Sequence, residues 1–255
     1  SAEGKNRADQ QRNFLQFYEF LRLIEETGEL ESLKLPIRVV DLGCGSAALT
    51  FATYYYLNFT KQLPTTMIGV DTKEHLMARH RETAASLNWD DLEFQTGRIT
   101  DFDPLDKPDI VLALHACDTA TDEALAQAIR WQSRLIFSAP CCHHNLQARL
   151  AKSESPESFR PIMRHGILRE RLGDILTDAF RAHILRLLGY STDVIEFIDQ
   201  QHTPKNVMIR AIFKNGPPPP ALVDQYNALK ANWDVIPYLE ELVQDQLDAI
   251  LAASR

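Results

Sequence analysis

The sequence predicts an α/β fold in which a mostly parallel sheet ends in an antiparallel hairpin and carries helical additions at both termini. Three observations predict it. Short β-branched runs alternate with amphipathic stretches through the first half of the chain, the rhythm of βαβ units. The first such run, Val39-Val40-Asp41-Leu42, opens through Gly43 and Gly45 onto a helix-compatible stretch. Two late strand-like runs, residues 191–199 and 206–213, are separated by only six residues, close enough to pair as a hairpin.

Each element has its own justification. From residue 10 to 31 the apolar positions Phe14, Phe17, Tyr18, Leu21 and Ile24 recur at the helical period, which predicts a helix before the main fold. The first strand leads into a helix over 46–58, a second strand over 67–71 and a helix over 73–87. Strands at 92–99 and 108–116, a helix from Thr121 to Arg130 and a strand at 134–140 continue the pattern. After Pro140 the regularity lapses for some 25 residues before a long helix near 168–188. Prolines 217–220 are expected outside any helix or central strand, as a stiff linker to a helical tail. The chain thus divides into a lead-in (1–36), a main domain (37–216) and a Pro-linked tail (217–255).

Composition narrows the function classes. The 255 residues are 45% hydrophobic and 24% charged, a globular composition that excludes disordered and fibrous chains. A net charge of −8 is not that of a nonspecific polycation. The average hides a segregation, because residues 141–190 hold eight Lys/Arg against five Asp/Glu, a local balance of +3. Cys44, Cys117, Cys141 and Cys142 include an adjacent pair and make a poor disulfide framework, so they read as reduced thiols in a cytoplasm. No run approaches the roughly 18 apolar residues of a membrane span, and the first residues lack an apolar signal core. The opening Ser1-Ala2 leaves an upstream segment open.

Asp41, Gly43 and Gly45 carry the first chemical signal. Two glycines let the backbone turn tightly against a ligand, and Asp41 offers a carboxylate to a cationic group. Asp71, 26 residues after Gly45, ends the second strand where an acid accepts hydrogen bonds from both ribose hydroxyls of a nucleoside. A nicotinamide dinucleotide fingerprint tolerates Ala48 at its third glycine position. The Asp41 carboxylate decides between the two, since it repels a pyrophosphate and suits the amino group of a methionine moiety.

On Asp41-Leu42-Gly43-Cys44-Gly45 the sequence resembles the class I S-adenosylmethionine-dependent methyltransferases, from about Val39 to Phe213. The resemblance implies a Rossmann-like seven-stranded sheet with a terminal antiparallel hairpin, and S-adenosyl-L-methionine as cofactor. It implies further that Asp41, Gly43 and Gly45 surround the methionine part and Asp71 the ribose. Gly97, Arg98 and Ile99 would flank the adenine, with Arg98 standing where many members carry an acid. Leu114, at the end of the fourth strand, joins this cofactor-binding set.

The second half is less usual. His115-Ala116-Cys117-Asp118 stands where many family members carry an Asn/Asp-Pro-Pro-Tyr motif, so His115 and Asp118 are expected at the reaction centre. His115 would accept a proton and Asp118 would orient it or the nucleophile. Asp118 and Thr119 read equally as N-caps of the next helix, and Thr121 and Asp122 as its first turn. Cys141, Cys142, His143 and His144 follow the fifth strand. Adjacent ligands in one tetrapeptide do not readily wrap a tetrahedral ion, so no metal is expected, and these residues are read as lining an acceptor pocket. A thiolate methyl carrier is the lesser alternative. In the turn of the hairpin, Lys205 suits phosphate or solvent, and Asn206 suits the substrate or the turn itself.

The combination of these stretches is similar to methyltransferase-like proteins with HACG-type and CC-containing motifs, and to tRNA acceptor-stem 2′-O-methyltransferases. Asp118 departs from their glycine. The expected function is methyl transfer to an O or N nucleophile of RNA, with the Arg-rich segment 149–186 as a phosphate rim. The alternatives are a small-molecule or protein acceptor, and a non-catalytic cofactor-binding scaffold.

Overall fold

β1 (Ile37–Leu42) is buried along nearly its whole length, its apolar residues interrupted only by Arg38 and Asp41, as expected of a strand covered on both faces. It is the centre of a seven-stranded sheet in the computed structural model, which describes residues 17–114, 116–196 and 207–252. The other strands are β2 (Thr65–Asp71), β3 (Leu92–Thr96), β4 (Ile110–Ala113), β5 (Leu135–Ser138), β6 (Tyr190–Glu196) and β7 (Val207–Phe213). Their order is β3-β2-β1-β4-β5-β7-β6, with the first five parallel and β7 antiparallel to both its neighbours. β1 pairs with β2 on one side and β4 on the other, which makes its carboxyl end the point where the crossovers diverge and a crevice opens. The expected α/β sheet with its terminal hairpin is present.

Helices cover both faces and divide the core in two. On one face lie α1, which runs through residues 17–25, α2 (Ala48–Tyr55, continuing as a wider turn over Tyr56–Thr60) and α3 (Glu74–Ser86). Phe20, Leu23 and Ile24 of α1 are buried there, with Phe20 edge-on to Phe137 of β5 at 5.9 Å. The lead-in therefore packs on the sheet. Its helix stops at residue 25 rather than 31, because Gly28 takes φ +65 and turns the chain away; residues 10–16 of the expected helix lie outside the described residues.

The other face is covered by α4 (Thr119–Trp131), α5 (His144–Leu150), α6 (Arg160–Met163), α7 (Gly166–Leu187), α8 (Pro220–Trp233), α9 (Tyr238–Leu242) and α10 (Gln244–Ala252). Thr121 and Asp122 fall in the first turn of α4, as expected. The irregular stretch after Pro140 holds the two short helices α5 and α6. Pro220 corrects the linker expectation, since it sits in the first turn of α8, where a missing N–H costs nothing and the fixed φ suits a helix. Val223, Tyr226, Trp233, Leu239, Val243 and Leu247 are buried in one cluster with residues of β4, β5, α4 and α7. The tail is thus part of the core. Among the described residues no helix is long and apolar enough to cross a membrane.

Candidate cofactor and acceptor site

The turn after β1 is held in a left-handed course, with φ +75 at Gly43 and +56 at Gly45. The amides of Gly43 and Cys44 donate to the Val70 carbonyl at 2.8 and 3.1 Å, tying the turn to β2. A Cβ on Gly43 would meet Ala116 at 3.4 Å, so the turn lies directly against the loop that follows β4. The Gly45 amide donates to Asp71 Oδ2 at 3.0 Å, and the Lys73 amide donates to Oδ1 at the same distance. His80 Nε2 lies 3.0 Å from the Gly45 carbonyl, so that nitrogen carries the proton.

Asp41 is the buried acid of this end, at 1% exposure. The Thr50 hydroxyl donates to its Oδ2 at 2.6 Å, while Oδ1 finds no hydrogen-bond partner among the described residues. Burial pushes the carboxyl up to about 7, the Thr50 hydroxyl restrains it and the Asp71 charge adds to the rise. A buried carboxylate oxygen lacking a donor is costly. A cation reaching it would remove that cost.

The loop after β3 forms the neighbouring wall. The Gly97 amide donates to the Asp71 carbonyl at 3.1 Å, and a side chain at 97 would enter open space. Arg98 is exposed, and Ile99 is buried at 8%. Gln127 of α4 clasps this loop by donating to the carbonyls of Ile99 and Phe102 at 3.1 and 3.3 Å. Leu114 is buried in the core on the α1–α3 side.

The loops after β4 and β5 are joined by a buried charged network. Arg181 of α7, at 1% exposure, donates to both carboxylate oxygens of Asp122 at 2.8 Å, to Asp178 at 3.2 Å and to the Asp118 carbonyl at 3.0 Å. Asp178 also lies 3.0 Å from His143 Nε2, and Asp174 lies 3.2 Å from His143 Nδ1. His143 is therefore buried between two carboxylates of α7, not turned toward an acceptor. His144 opens α5 and is exposed. Asp118 takes φ +52 and ψ −118, a course natural to glycine, and its Oδ1 accepts the Asn145 amide at 3.0 Å. It occupies the position before α4, yet its side chain caps the start of α5 instead.

Three thiols meet where these two loops run side by side. Cys117 Sγ lies 2.9 Å from Cys141 Sγ, which lies 3.8 Å from Cys142 Sγ. Burial and the neighbouring thiols push Cys141 up to about 12. Cys44, by contrast, is packed against Met77 at 3.9 Å on the far side of the sheet.

A family model described as a methyltransferase domain matches residues 12–149, more than half of the chain. The chain belongs to this methyltransferase-domain family. Among solved structures it is similar to the magnesium protoporphyrin IX methyltransferase of Synechocystis PCC 6803 with bound SAH (14% identity, 79% of this chain and 84% of that one, TM-score 0.49). Others are the YcgJ protein of Bacillus subtilis (12%, 77% and 98%, 0.42) and an O-methyltransferase family protein of Burkholderia thailandensis (15%, 71% and 52%, 0.42). No curated protein sequence matches the chain.

In this methyltransferase domain, Asp41, Gly43, Gly45 and Asp71 converge at the carboxyl ends of β1 and β2, with Gly97 and Ile99 on the adjoining loop. Asp118, Cys141 and Cys142 gather opposite, across the Gly43–Ala116 contact. His115, Lys205 and Asn206 lie outside the described residues. The Arg-rich segment is partly consumed within the fold. Arg149 pairs with Glu241 and donates to the Ile236 carbonyl, Arg160 pairs with Glu157, Arg186 donates to the Thr192 carbonyl, and Arg181 is the buried hub. Lys152, Arg164, Arg169 and Arg171 remain exposed.

Sequence reasoning missed Thr50, His80, Arg181 and Asp178. Thr50 stands nine residues beyond Asp41 on the helix that the glycine turn opens, a spacing that was there to be read. Nothing local signals that Arg181 reaches Asp122 across 59 residues.

Proposed function

We propose that this chain is an S-adenosylmethionine-dependent methyltransferase acting on an oxygen or nitrogen nucleophile of RNA. The observation that carries the cofactor assignment is Asp41 Oδ1, a buried carboxylate oxygen without a donor among the described residues, beside a left-handed glycine turn. An ammonium group satisfies it, and a pyrophosphate does not. Asp41 would hold the amino group of the methionine part, the backbone of Gly43 to Gly45 would lie along that part, and Asp71 would accept from the ribose hydroxyls with its remaining lone pairs. The wall formed by Gly97, Arg98 and Ile99 would flank the adenine. When bound, the cofactor supplies a methyl group made electrophilic by a positively charged sulfur.

The chain's own task is then mainly positioning. The Arg181 network fixes the loops after β4 and β5 against each other, and Asp118 sets the angle of α5 by capping it. His115, two residues past the end of β4 in sequence, takes the proton when the acceptor is a hydroxyl. The exposed Lys152, Arg164, Arg169 and Arg171 support an RNA acceptor, as does the local excess of positive charge in a chain of net charge −8. A small-molecule or protein acceptor is the second reading. It is favoured by the pairing of Arg149 and Arg181 within the fold, which leaves fewer cations for phosphate.

The test is transfer of a labelled methyl group from S-adenosylmethionine to separated RNA, protein and metabolite fractions. Label is expected in RNA, and His115→Ala is expected to bind the cofactor but lose most transfer. Label confined to the other fractions would replace the RNA acceptor. Cofactor binding without transfer to any fraction would reduce the protein to a scaffold.

A further inference from the structure

The three thiols between β4 and β5 are brought together by sheet topology. β4 and β5 are parallel neighbours, with Ala113 opposite Ser138 in the ladder, so the loops that follow them leave the sheet side by side. Cys117 comes from the first loop, and Cys141 and Cys142 from the second. Their sulfur atoms all fall within 4.8 Å of one another. A tetrahedral site with metal–sulfur bonds of about 2.3 Å has sulfur–sulfur edges of about 3.8 Å. The 3.8 Å between Cys141 and Cys142 equals such an edge, and the 2.9 Å between Cys117 and Cys141 needs to widen by less than an ångström, about the freedom of one exposed χ1.

The sequence-based objection to a metal was that ligands crowded into one tetrapeptide do not wrap an ion. It is met in part, because only Cys141 and Cys142 come from that tetrapeptide. His143 is buried between Asp174 and Asp178, with Nε2 bonded to Asp178, and the third donor arrives from the loop after β4, 24 residues earlier. Thiols gain little from one another, being weak donors and weak acceptors, whereas three soft donors around one point suit a borderline-soft cation.

We propose that Cys117, Cys141 and Cys142 form a three-thiolate site for a divalent cation of the zinc class. On binding, three S–H bonds break and three metal–sulfur bonds form. Three protons pass to solvent, and no electrons are transferred. Cys117 is exposed, so the fourth tetrahedral position opens to solvent, as in zinc sites that keep a water or a substrate atom there. Cys117 follows Ala116, whose backbone lies against Gly43, so the cation would stand beside the glycine turn. The site rests on the placement of the thiols and is independent of the methyl-transfer reading.

The experiment is metal analysis of the full chain, produced with zinc in the medium and purified in reductant without chelator. About one zinc per chain is expected, falling to less than about a tenth in Cys117→Ser and in Cys141→Ser but kept in Cys44→Ser. Cobalt(II) in place of zinc should give sulfur-to-metal charge-transfer absorption. In the wild-type protein zinc should protect Cys117, Cys141 and Cys142 from alkylation and a chelator should expose them, which tests the site even where a serine variant does not fold. Wild-type protein without zinc and without the cobalt band overturns the proposal. So does a Cys117–Cys141 disulfide that persists in reductant with zinc present.

Discussion

The loops after β1 and β2 are closed mainly by backbone amides bonded to the neighbouring strand's end, while those after β4 and β5 are held by side chains that reach them from α7. At the first end, Val70 takes the amides of the glycine turn, Asp71 takes those of Gly45 and Lys73, and Thr50 holds Asp41. At the second, Arg181 gathers Asp122, Asp178 and the Asp118 carbonyl, and Asp178 passes the restraint on to His143. A parallel strand pair sets its own turn through backbone ladders. An irregular loop over a sheet edge must borrow its order from a helix, here α7. The teaching is that binding at the first end and positioning at the second should fail separately when each is broken.

The largest effect is expected from Arg181→Met, which leaves Asp122 and Asp178 buried without their cation. A loss of about 3–5 kcal/mol in stability should appear in urea unfolding, and a loss under about 1 kcal/mol would show that α7 does not hold the second end. Asp71→Ala comes next. It removes the acceptors of Gly45 and Lys73 as well as those proposed for the ribose, and should weaken S-adenosylmethionine binding by about 2–3 kcal/mol in calorimetry. Unchanged affinity would remove the ribose from Asp71.

A smaller effect follows from Asp41, whose carboxyl is raised to about 7 from an ordinary 3.8, chiefly by burial. The folded protein therefore holds this proton while the unfolded chain has lost it. This group's contribution to stability in the absence of cofactor falls as pH climbs from about 4 toward 7, and is level above that. Binding of a cation has the opposite dependence, because it favours the ionised form. Affinity for S-adenosylmethionine should drop by up to about tenfold per pH unit below pH 7 and stay flat above it. Affinity independent of pH from 5 to 8 would separate Asp41 from the amino group.

The smallest effect is expected from Asp118→Gly. Relief of a left-handed course worth about 1–2 kcal/mol opposes loss of a cap worth about 1 kcal/mol, so stability should move by less than about 1 kcal/mol. Asp118→Ala keeps the strain and loses the cap, and should cost about 1 kcal/mol by denaturant titration. Equal effects of the two substitutions would show that the backbone at 118 is not strained.

The alternation of strands and helices, the glycine turn with Asp41 and Asp71, the terminal hairpin and the long helix were all legible in the sequence. Each is written in residues close together along the chain, as a period, a spacing or a glycine at a strand end. The Pro220 start of α8 was misread because four prolines in a row look like a linker, whereas the last of them meets the one helical position that tolerates proline. His143 was assigned to an acceptor because imidazoles beside thiols suggest chemistry, and only the packing of α7 shows two carboxylates around it.

By itself, then, the sequence determined the sheet, its crevice and the acids along it, because periodicity and glycine placement act locally. The tertiary structure decided that the tail joins the core, that Arg181 holds the loops after β4 and β5 and that Cys117 meets Cys141 and Cys142. The thiol pair and the reach of Arg181 to Asp118 join residues 24 and 63 positions apart, and the tail reaches Arg130 across 112; the order of the strands and the packing on them, not any local pattern, bring these groups within bonding distance.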